Sequence, residues 1–243
     1  MTTRTYEEAA AARSKRVQVR HRPSARRSAP GVPGRNATGP LSARISVREQ
    51  PTADGLPILD GFASVTQTPY EMWDAFGPYT EEVDGAAFDR TLANDPDVKF
   101  LFNHAGMPMA RTSNMAPETA GSLALSMGTA DNGAPALHSV AVPLPQLEVT
   151  QQVLIAARAG LLDEMSFAFM IVRGAWSDDY MKYTIYEVDL NRGDTSIVTY
   201  GANPHTSIDV RSAPALDTAS TVDAQARARI AVALSRSREF NRT

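Results

Sequence analysis

The sequence predicts a mixed α+β or barrel-like domain over residues 45–212, in which short strands dominate and two helices lie between them. Apolar segments of roughly four to eight residues alternate with turn residues along this region, as is typical of strands. Helical spacing of apolar residues recurs in only two stretches. Hydrophobic residues make up 43% of the chain, a fraction that is sufficient for a core.

The predicted strands are separated by Gly, Asn, Asp and Pro residues, which favour turns. In chain order they are ISVREQ (45–50), ILDGFASVT (58–66), VKFLFNH (98–104), SLALSMGT (122–129), PALHSVAVPL (135–144), MSFAFMIVRGAW (165–176), YTIYEVDL (183–190) and DTSIVTYGA (194–202). Asp131-Asn132-Gly133 predicts the turn that pairs the fourth of these strands with the fifth.

The two predicted helices differ in length. In LEVTQQVLIAARAGLLDE (147–164) apolar residues share one face, and Gly160 is suited to cap the end of the helix. The residues of that face are Val149, Val153, Leu154 and Ala157. The shorter helix, with Phe88 and Leu92 four residues apart, follows a stretch from residue 69 that we interpret as an insertion-like loop.

Composition and motif content exclude several kinds of site. The chain has no cysteine, which rules out disulfides, thiolate metal sites and a cysteine nucleophile. The four histidines lack the spacing of metal ligands, and no phosphate-binding or dinucleotide-binding glycine motif occurs. We therefore expect no metal and no cofactor. We also expect no membrane span and no secretory signal, because no apolar run approaches the ~20 residues that a span requires.

Residues 1–44 are predicted to form a disordered, arginine-rich tail, since they contain almost no large apolar side chains. Such a tail either tethers the chain to nucleic acid or an acidic surface, or is simply solvated. Residues 213–243 are rich in Ala, Ser and Arg, and we expect a flexible or helical C-terminal tail. Both tails are candidate sites of self-cleavage.

Two short segments contain candidate catalytic residues. In FLFNHAG, His104 follows an apolar strand and precedes a glycine loop, and in DEMSFAFMIV, Ser166 lies at the junction of a helix and a strand. A serine hydroxyl needs an adjacent base to become a nucleophile, and that base needs an orienting acid. The acid candidates are Glu187, Asp189 and Asp194. Both residues also have a structural interpretation, in which His104 is a hydrogen-bonded residue at a strand end and Ser166 is a cap.

Five fragments in order carry a family resemblance. They are LDGFASV (59–65), EEVDGAAFDRTL (81–92), DVKFLFNHAGMPMARTSN (97–114), LLDEMSFAFMIVRGAW (161–176) and VDLNRGDTSIVTYGANPHTS (188–207). Together they resemble the prohead (capsid maturation) proteases of tailed bacteriophages. The resemblance implies a fold like that of the herpesvirus assemblin proteases, a small and mostly antiparallel β-barrel surrounded by helices.

The resemblance also implies site residues. The family's histidine in F-N-H corresponds to His104, and its nucleophile in M-S-F-x-F corresponds to Ser166. The acid that precedes V-T-Y-x-A-N-P corresponds to Asp194, although residues 191–193 look like a local insertion, so Glu187 stays an alternative. Oxyanion support is expected from backbone N–H groups near Phe167 and from Arg111, which alternatively only pairs with a loop carboxylate.

The function that the resemblance implies is that of a serine endopeptidase inside the phage procapsid, in the host cytoplasm. Its substrates would be the major capsid protein, the scaffold protein, or both, and it would also cleave itself. Self-association into a homo-oligomer is an open expectation. Two rival hypotheses are a non-enzymatic assembly protein with the same fold and a nucleic-acid-tethering protein that acts through residues 1–44.

Overall fold

The computed structural model describes residues 4–16, 26–27, 52, 55–74, 76–112, 116, 118–201 and 207–211. The chain divides into two units, residues 1–212 and 213–243. The second unit lies outside the described residues, as do the predicted strand at 45–50 and most of the predicted N-terminal tail.

Strands dominate the described part of the chain, as predicted. The strands are β1 (Arg26–Arg27), β2 (Ile58–Val65), β3 (Tyr70–Asp74), β4 (Gly77–Val83), β5 (Lys99–Phe102), β6 (Ala105–Arg111), β7 (Ser122–Thr129), β8 (Pro135–Val142), β9 (Glu164–Trp176), β10 (Lys182–Val198) and β11 (Ser207–Arg211). The helices are α1 (Tyr6–Arg16), α2 (Asp89–Ala93) and α3 (Glu148–Arg158).

The strands form one curled sheet in the order β1-β9-β10-β5-β6-β7-β8-β2-β11, with β4 pairing a second part of β10 and β3 pairing β4. Most pairs are antiparallel, but β4 and β5 both run parallel to β10. The sheet curls until β2 and β11 contact β9. No strand pairing among the described residues joins β2 or β11 to β9, so the mostly β architecture is confirmed and the closed barrel is not.

Two segments differ from the sequence prediction because both contain turn-forming residues. The stretch from residue 69, interpreted as a loop, forms the β3–β4 hairpin, in which Tyr70 and Met72 alternate into the core. The predicted strands 183–190 and 194–202 are parts of one long strand, β10, which stays paired with β9 across an irregularity between Asp189 and Asp194.

Helix α3 is confirmed, including its end. Gly160 has φ of +70°, its N–H donates to the Ala157 carbonyl, and the Leu161 N–H donates to the Ala156 carbonyl at 2.9 Å. These two bonds are those of a Schellman motif, which satisfies carbonyl groups that the last helical turn leaves open. The buried face consists of Thr150, Val153, Leu154 and Ala157.

The core face of β9 is aromatic. Phe167 stacks on Phe169 with ring centroids 4.2 Å apart, and the edge of Phe88 meets Phe167 at 5.5 Å. Met165 lies on the same face, fully buried. Because successive side chains of a strand point to opposite faces, Ser166 and Ala168 face away from this cluster.

Part of the predicted disordered tail forms a helix, α1, which corrects the prediction for these residues. Residues 6–16 form a helix that packs against β4, with Ala9 fully buried. Burial, together with a hydrogen bond to the Glu71 carboxylate, raises the pKa of the Tyr6 phenol to about 12. Small alanine side chains allow this close approach, which a prediction based on large apolar residues could not detect.

Arg13 fixes α1 to the domain. Its side chain is 1% exposed and forms a bidentate pair with the Asp74 carboxylate, with both N–O distances at 2.9 Å. It also donates to the carbonyls of Gly77, Pro78 and Tyr180. The guanidinium lies over the rings of Tyr79 and Trp176, at 5.1 and 5.0 Å from their centroids. A buried charge is tolerated when it is fully paired in this way.

No helix in the described ranges is both long enough and apolar enough to cross a membrane.

Replacing Arg13 with Met should lower the free energy of unfolding by about 3 kcal/mol, because the partly buried Asp74 carboxylate and several carbonyls lose their donor. Urea denaturation of the purified protein measures the change. Lys15→Met is the matched control, since Lys15 is exposed on the same helix, and its effect should stay within about 0.5 kcal/mol. Equal stability of the two variants would contradict this account of Arg13.

Candidate active site

His104 lies at the tip of a tight hairpin. Phe102 of β5 pairs with Ala105 of β6, so Asn103 and His104 alone form the loop. Both have positive φ, +50° and +57°, as the central residues of a type I′ turn require. The predicted glycine loop after His104 is therefore the start of β6. Left-handed backbone is uncommon at histidine, and such residues cluster at functional sites.

Asn103 attaches this tip to the neighbouring strand. Its side-chain oxygen accepts the Thr199 N–H at 2.9 Å, and its amide nitrogen donates to the Thr199 hydroxyl at 3.2 Å. Its own N–H donates to the Ile197 carbonyl at 3.0 Å. Asparagine also tolerates the left-handed conformation better than most residues. The hairpin tip is thus held against the end of β10.

The imidazole of His104 contacts an acid on β10. Its Nδ1 lies 2.7 Å from Oδ1 of Asp194, and the same carboxylate oxygen accepts the Ser196 hydroxyl, also at 2.7 Å. The His104 N–H in turn donates to Oγ of Ser196 at 3.2 Å. Both ends of the imidazole–carboxylate pair are therefore oriented by Ser196. With Nδ1–H donating to Asp194, the proton-free nitrogen is Nε2.

Nε2 of His104 is buried and has no hydrogen-bond partner among the described residues. It therefore makes no hydrogen bond to Ser166 in this conformation. Nε2 can accept a proton, since Nδ1 already donates its hydrogen to Asp194. Catalytic hydrogen bonds are often long without a substrate and shorten only when the substrate is bound.

Ser166 lies on β9 directly opposite Ser196 on β10. Paired residues of antiparallel strands point to the same face, with Cβ atoms about 4.5–5.5 Å apart. Asp194, two residues from Ser196, shares that face. Ser166 is 4% exposed and Asp194 is 7% exposed. Ser166 thus lies on the same face of the sheet as Asp194, the acid that contacts His104, and away from the aromatic core.

A bulge in β10 determines which acid reaches His104. Between Asp189 and Asp194 the strand advances five residues while its partner advances two, from Met170 to Ala168, so β10 contains three extra residues. This agrees with the local insertion inferred at 191–193. At Gly193 a Cβ would lie 2.1 Å from the Ala168 carbonyl oxygen, so only glycine fits there.

The bulge is bonded to the turn that precedes β5. The Arg192 N–H donates to the Asp97 carbonyl at 2.8 Å, and the Asp97 N–H donates to the Asn191 side chain at 3.1 Å. Arg111 binds the Asp97 carboxylate through two bonds of 2.6 and 2.7 Å. This contact is the loop-carboxylate alternative considered for Arg111. The hydrogen bonds from Arg111 hold the pKa of the Asp97 carboxyl below its ordinary value.

The other two acids have different neighbours. Glu187 accepts a hydrogen bond from Arg90 at 2.9 Å and lies 3.9 Å from the Arg173 guanidinium. Asp189 accepts the Asn191 N–H at 2.8 Å, within the bulge. Among the described residues, the carboxylate that contacts His104 is that of Asp194. The side chain of Phe167, next to Ser166, is directed into the core.

Sequence reasoning missed two residues, Ser196 and Thr199, that position the histidine. The period of two in D-T-S puts Ser196 on the same face as Asp194, which is a detectable signal once β10 is known to be a strand. Thr199 has no such signal, because its contact with Asn103 spans 96 residues. The described residues contain no cluster of His, Cys, Asp or Glu that could hold a metal ion.

Comparison with known proteins gives one family. The model described as caudovirus prohead serine protease matches residues 43–220 of this chain. Neither a curated protein nor a solved structure matches significantly. The matched range contains His104, Ser166 and Asp194 together with the bulge.

Asn103→Ala should lower the free energy of unfolding by about 1 kcal/mol more than Asn103→Gly. Both variants lose the bonds to Thr199, but only alanine also resists the left-handed turn. Thermal unfolding of the two variants and the wild type measures the difference. If the alanine variant were as stable as the glycine variant, the described turn conformation would be wrong.

Gly193→Ala should destabilise the domain by about 2 kcal/mol or more, because the added methyl group collides with backbone and the bulge must move. The proton resonance of the His104 imidazole Nδ1–H should shift or broaden as Asp194 moves. Gly133→Ala is the control: its methyl meets no atom within 4 Å, so it should cost only the roughly 1 kcal/mol of a left-handed alanine. An unchanged imidazole resonance in Gly193→Ala would contradict the positioning by the bulge.

Proposed function

Because the chain belongs to the family of caudovirus prohead serine proteases, we propose that it is a serine endopeptidase with Ser166 as nucleophile, His104 as base and Asp194 as orienting acid. The observation that carries the proposal is the 2.7 Å contact of His104 Nδ1 with Asp194, which leaves the buried Nε2 of His104 without a hydrogen-bond partner among the described residues. Glu187 is the weaker alternative, since its carboxylate pairs with Arg90.

The reaction is acyl transfer. Nε2 of His104 removes the hydroxyl proton of Ser166, and Oγ attacks the scissile carbonyl carbon to form a tetrahedral intermediate. The imidazolium then gives that proton to the leaving amine, and the acyl-enzyme forms. A water molecule, deprotonated by the same nitrogen, hydrolyses the ester and restores the serine. Asp194 stabilises the imidazolium through Nδ1–H and keeps the ring in the required tautomer.

Ser196 has a positioning role in this mechanism. Its hydroxyl donates to Asp194 and accepts from the His104 backbone, so it fixes the acid relative to the base. For the oxyanion we propose backbone N–H groups near Phe167 as donors; each such donor contributes about 2.7–4 kcal/mol in a well-studied protease. We assign Arg111 a supporting role through Asp97 and the bulge, rather than a direct contact with substrate.

The proposed substrates are chains that assemble with the enzyme. We propose that it cleaves the major capsid protein, the scaffold protein, or both, inside the procapsid in the host cytoplasm, and that it also cleaves its own tails. Residues 45–212 would be the protease domain in this scheme, and a homo-oligomer stays an expectation. A non-enzymatic assembly protein is the main alternative. Nucleic-acid tethering through residues 1–44 is weaker, because Arg13 of that segment is buried.

Co-expression with the capsid protein encoded beside this chain tests the proposal, with both chains measured by intact mass. We expect the wild type to shorten the capsid protein and Ser166→Ala to leave it uncut. Ser196→Ala is the matched control on the opposite strand: it should slow cleavage without abolishing it, because a positioning residue and not the nucleophile is lost.

Three outcomes would change this conclusion. An uncut capsid protein with the wild type, under conditions in which procapsids assemble, would favour the non-enzymatic assembly protein. Equal cleavage by Ser166→Ala would exclude Ser166 as nucleophile. Loss of cleavage in Ser196→Ala with retention in Ser166→Ala would assign the nucleophile to Ser196.

A further inference from the structure

A second acid, Glu164, lies on the face of β9 that carries Ser166. Glu164 is the first residue of β9 and pairs with Val198 of β10, two positions before the pair of Ser166 with Ser196. Because side chains alternate along a strand, Glu164 and Ser166 point to the same face of the sheet. Their Cα atoms are about 7 Å apart along the strand. The reaction described above assigns this half-buried carboxylate no role.

The Glu164 carboxylate accepts a hydrogen bond from the N–H of Gly201. Gly201 belongs to the segment that follows β10, residues 199–201, which we call the exit segment. Gly201 is buried, and a buried backbone N–H group needs an acceptor. The large side chain of the segment, Tyr200, is 69% exposed, so its packing does not hold the segment in place. The bond to Glu164 therefore attaches the exit segment to the strand of Ser166.

The other end of the exit segment is bonded to the hairpin of His104. The Thr199 N–H donates to the side-chain oxygen of Asn103 at 2.9 Å, and the Asn103 amide nitrogen donates to the Thr199 hydroxyl at 3.2 Å. Asn103 and His104 together form the tip between β5 and β6. A single residue separates Thr199 from Gly201. One short segment thus connects Glu164 to the residue that precedes His104.

This connection joins two strands that do not pair with each other. In the sheet, β10 lies between β9, which carries Ser166, and β5, which leads to His104. Both residues of the hairpin tip have left-handed backbone, which residues other than glycine rarely adopt, so the tip depends on contacts outside the hairpin. A misplacement of 1 Å can cost about 100-fold in the rate of a catalysed reaction. An attachment that fixes the tip relative to β9 therefore matters for proton transfer between the two residues.

We propose that Glu164 is a positioning residue of the active site: its carboxylate holds the exit segment, and the exit segment holds His104 at a fixed distance from Ser166. The inference rests on the proposed function, since it presupposes that His104 and Ser166 react together. Glu164 acts as a hydrogen-bond acceptor and takes no part in proton transfer. The reach of its acceptor oxygen, and not its charge, is therefore the property that the reaction requires.

Two substitutions of Glu164 separate reach from charge. Glu164→Gln removes the charge but keeps the length of the side chain and a carbonyl acceptor. Glu164→Asp keeps the charge but is shorter by one methylene group, about 1.5 Å, so its oxygens fall short of the Gly201 N–H. Asp163→Asn is the matched control, since it removes the same charge from the exposed neighbouring residue. Two quantities are measured on the full chain: the rate at which a fluorophosphonate probe labels Ser166, and the proton resonance of the His104 imidazole Nδ1–H.

We expect Glu164→Asp to be labelled about tenfold more slowly than the wild type, with a shifted or broadened imidazole resonance. Glu164→Gln and Asp163→Asn should be labelled within about twofold of the wild-type rate. Wild-type labelling of Glu164→Asp would overturn the inference. Labelling of Glu164→Gln as slow as that of Glu164→Asp would overturn the role of an acceptor, and slow labelling with an unchanged resonance would overturn the action through His104.

A variant on the exit segment covers the case in which Glu164→Asp does not fold. Insertion of one glycine between Tyr200 and Gly201 lengthens the segment at an exposed position, where insertions are best tolerated. It loosens the connection between Glu164 and the hairpin tip, so it should slow labelling of Ser166 to a similar extent. Labelling at the wild-type rate would contradict the proposed connection.

The same experiment separates this inference from the proposed function. If the imidazole resonance moves in Glu164→Asp and not in Glu164→Gln, but no protein, including the wild type, is labelled at Ser166, the positioning stands and the serine protease proposal fails. If Ser166 is labelled in every variant at one rate, the protease proposal stands and the role of Glu164 fails. Peptide mapping of the labelled residue by mass spectrometry makes this distinction.

Discussion

The candidate site depends on the parallel pairing of β5 with β10. This ladder sets Lys99 beside Asp194 and Phe102 beside Ile197, so the hairpin tip after Phe102 lies at the end of β10, and the imidazole of His104 reaches back to the acid. Side-chain bonds secure both ends of the short ladder, through Asp97 at its start and Asn103 at its end. Parallel pairs are slightly less stable per residue than antiparallel ones, which explains why a four-residue strand needs such attachments.

The bulge in β10 determines which of its side chains face His104. Since side chains alternate with a period of two, the three extra residues move every later side chain of β10 to the opposite face. Asp194 and Ser196 consequently face the histidine, and Thr195 faces the interior, where its hydroxyl lies 3.2 Å from that of Ser139. Gly193 permits the close backbone approach on which this depends. In the sequence this short insertion was only a departure from the family pattern. In the structure it explains why Asp194, and not Glu187, contacts His104.

Local signals were sufficient for much of this structure. Helix α3 with its capping glycine, the turn at 131–133 and the strand β5, which ends just before Asn103, follow from neighbouring residues alone. The β3–β4 hairpin and the start of β6 were obscured by the Gly and Pro residues within them, and the docking of α1 depends on distant partners. Closure of the sheet into a barrel was inferred from resemblance, and no pairing among the described residues closes it. In the site, the residue types of His104 and Ser166 were recognisable, whereas the positioning by Ser196 required the register between β9 and β10.

The sequence separation of these contacts has a consequence for the timing of synthesis. His104 and Asp194 are 90 residues apart, Asn103 and Thr199 are 96 apart, and Arg13 and Tyr180 are 167 apart. Contacts between distant residues form late, because the loop between them has to close first. In a chain still attached to the ribosome, His104 has no contact with Asp194 until β10 has emerged, and synthesis proceeds at about 5–20 residues per second. The nascent polypeptide therefore forms the contact between His104 and Asp194 only after β10 has been synthesised, and fragments that stop before β10 lack it.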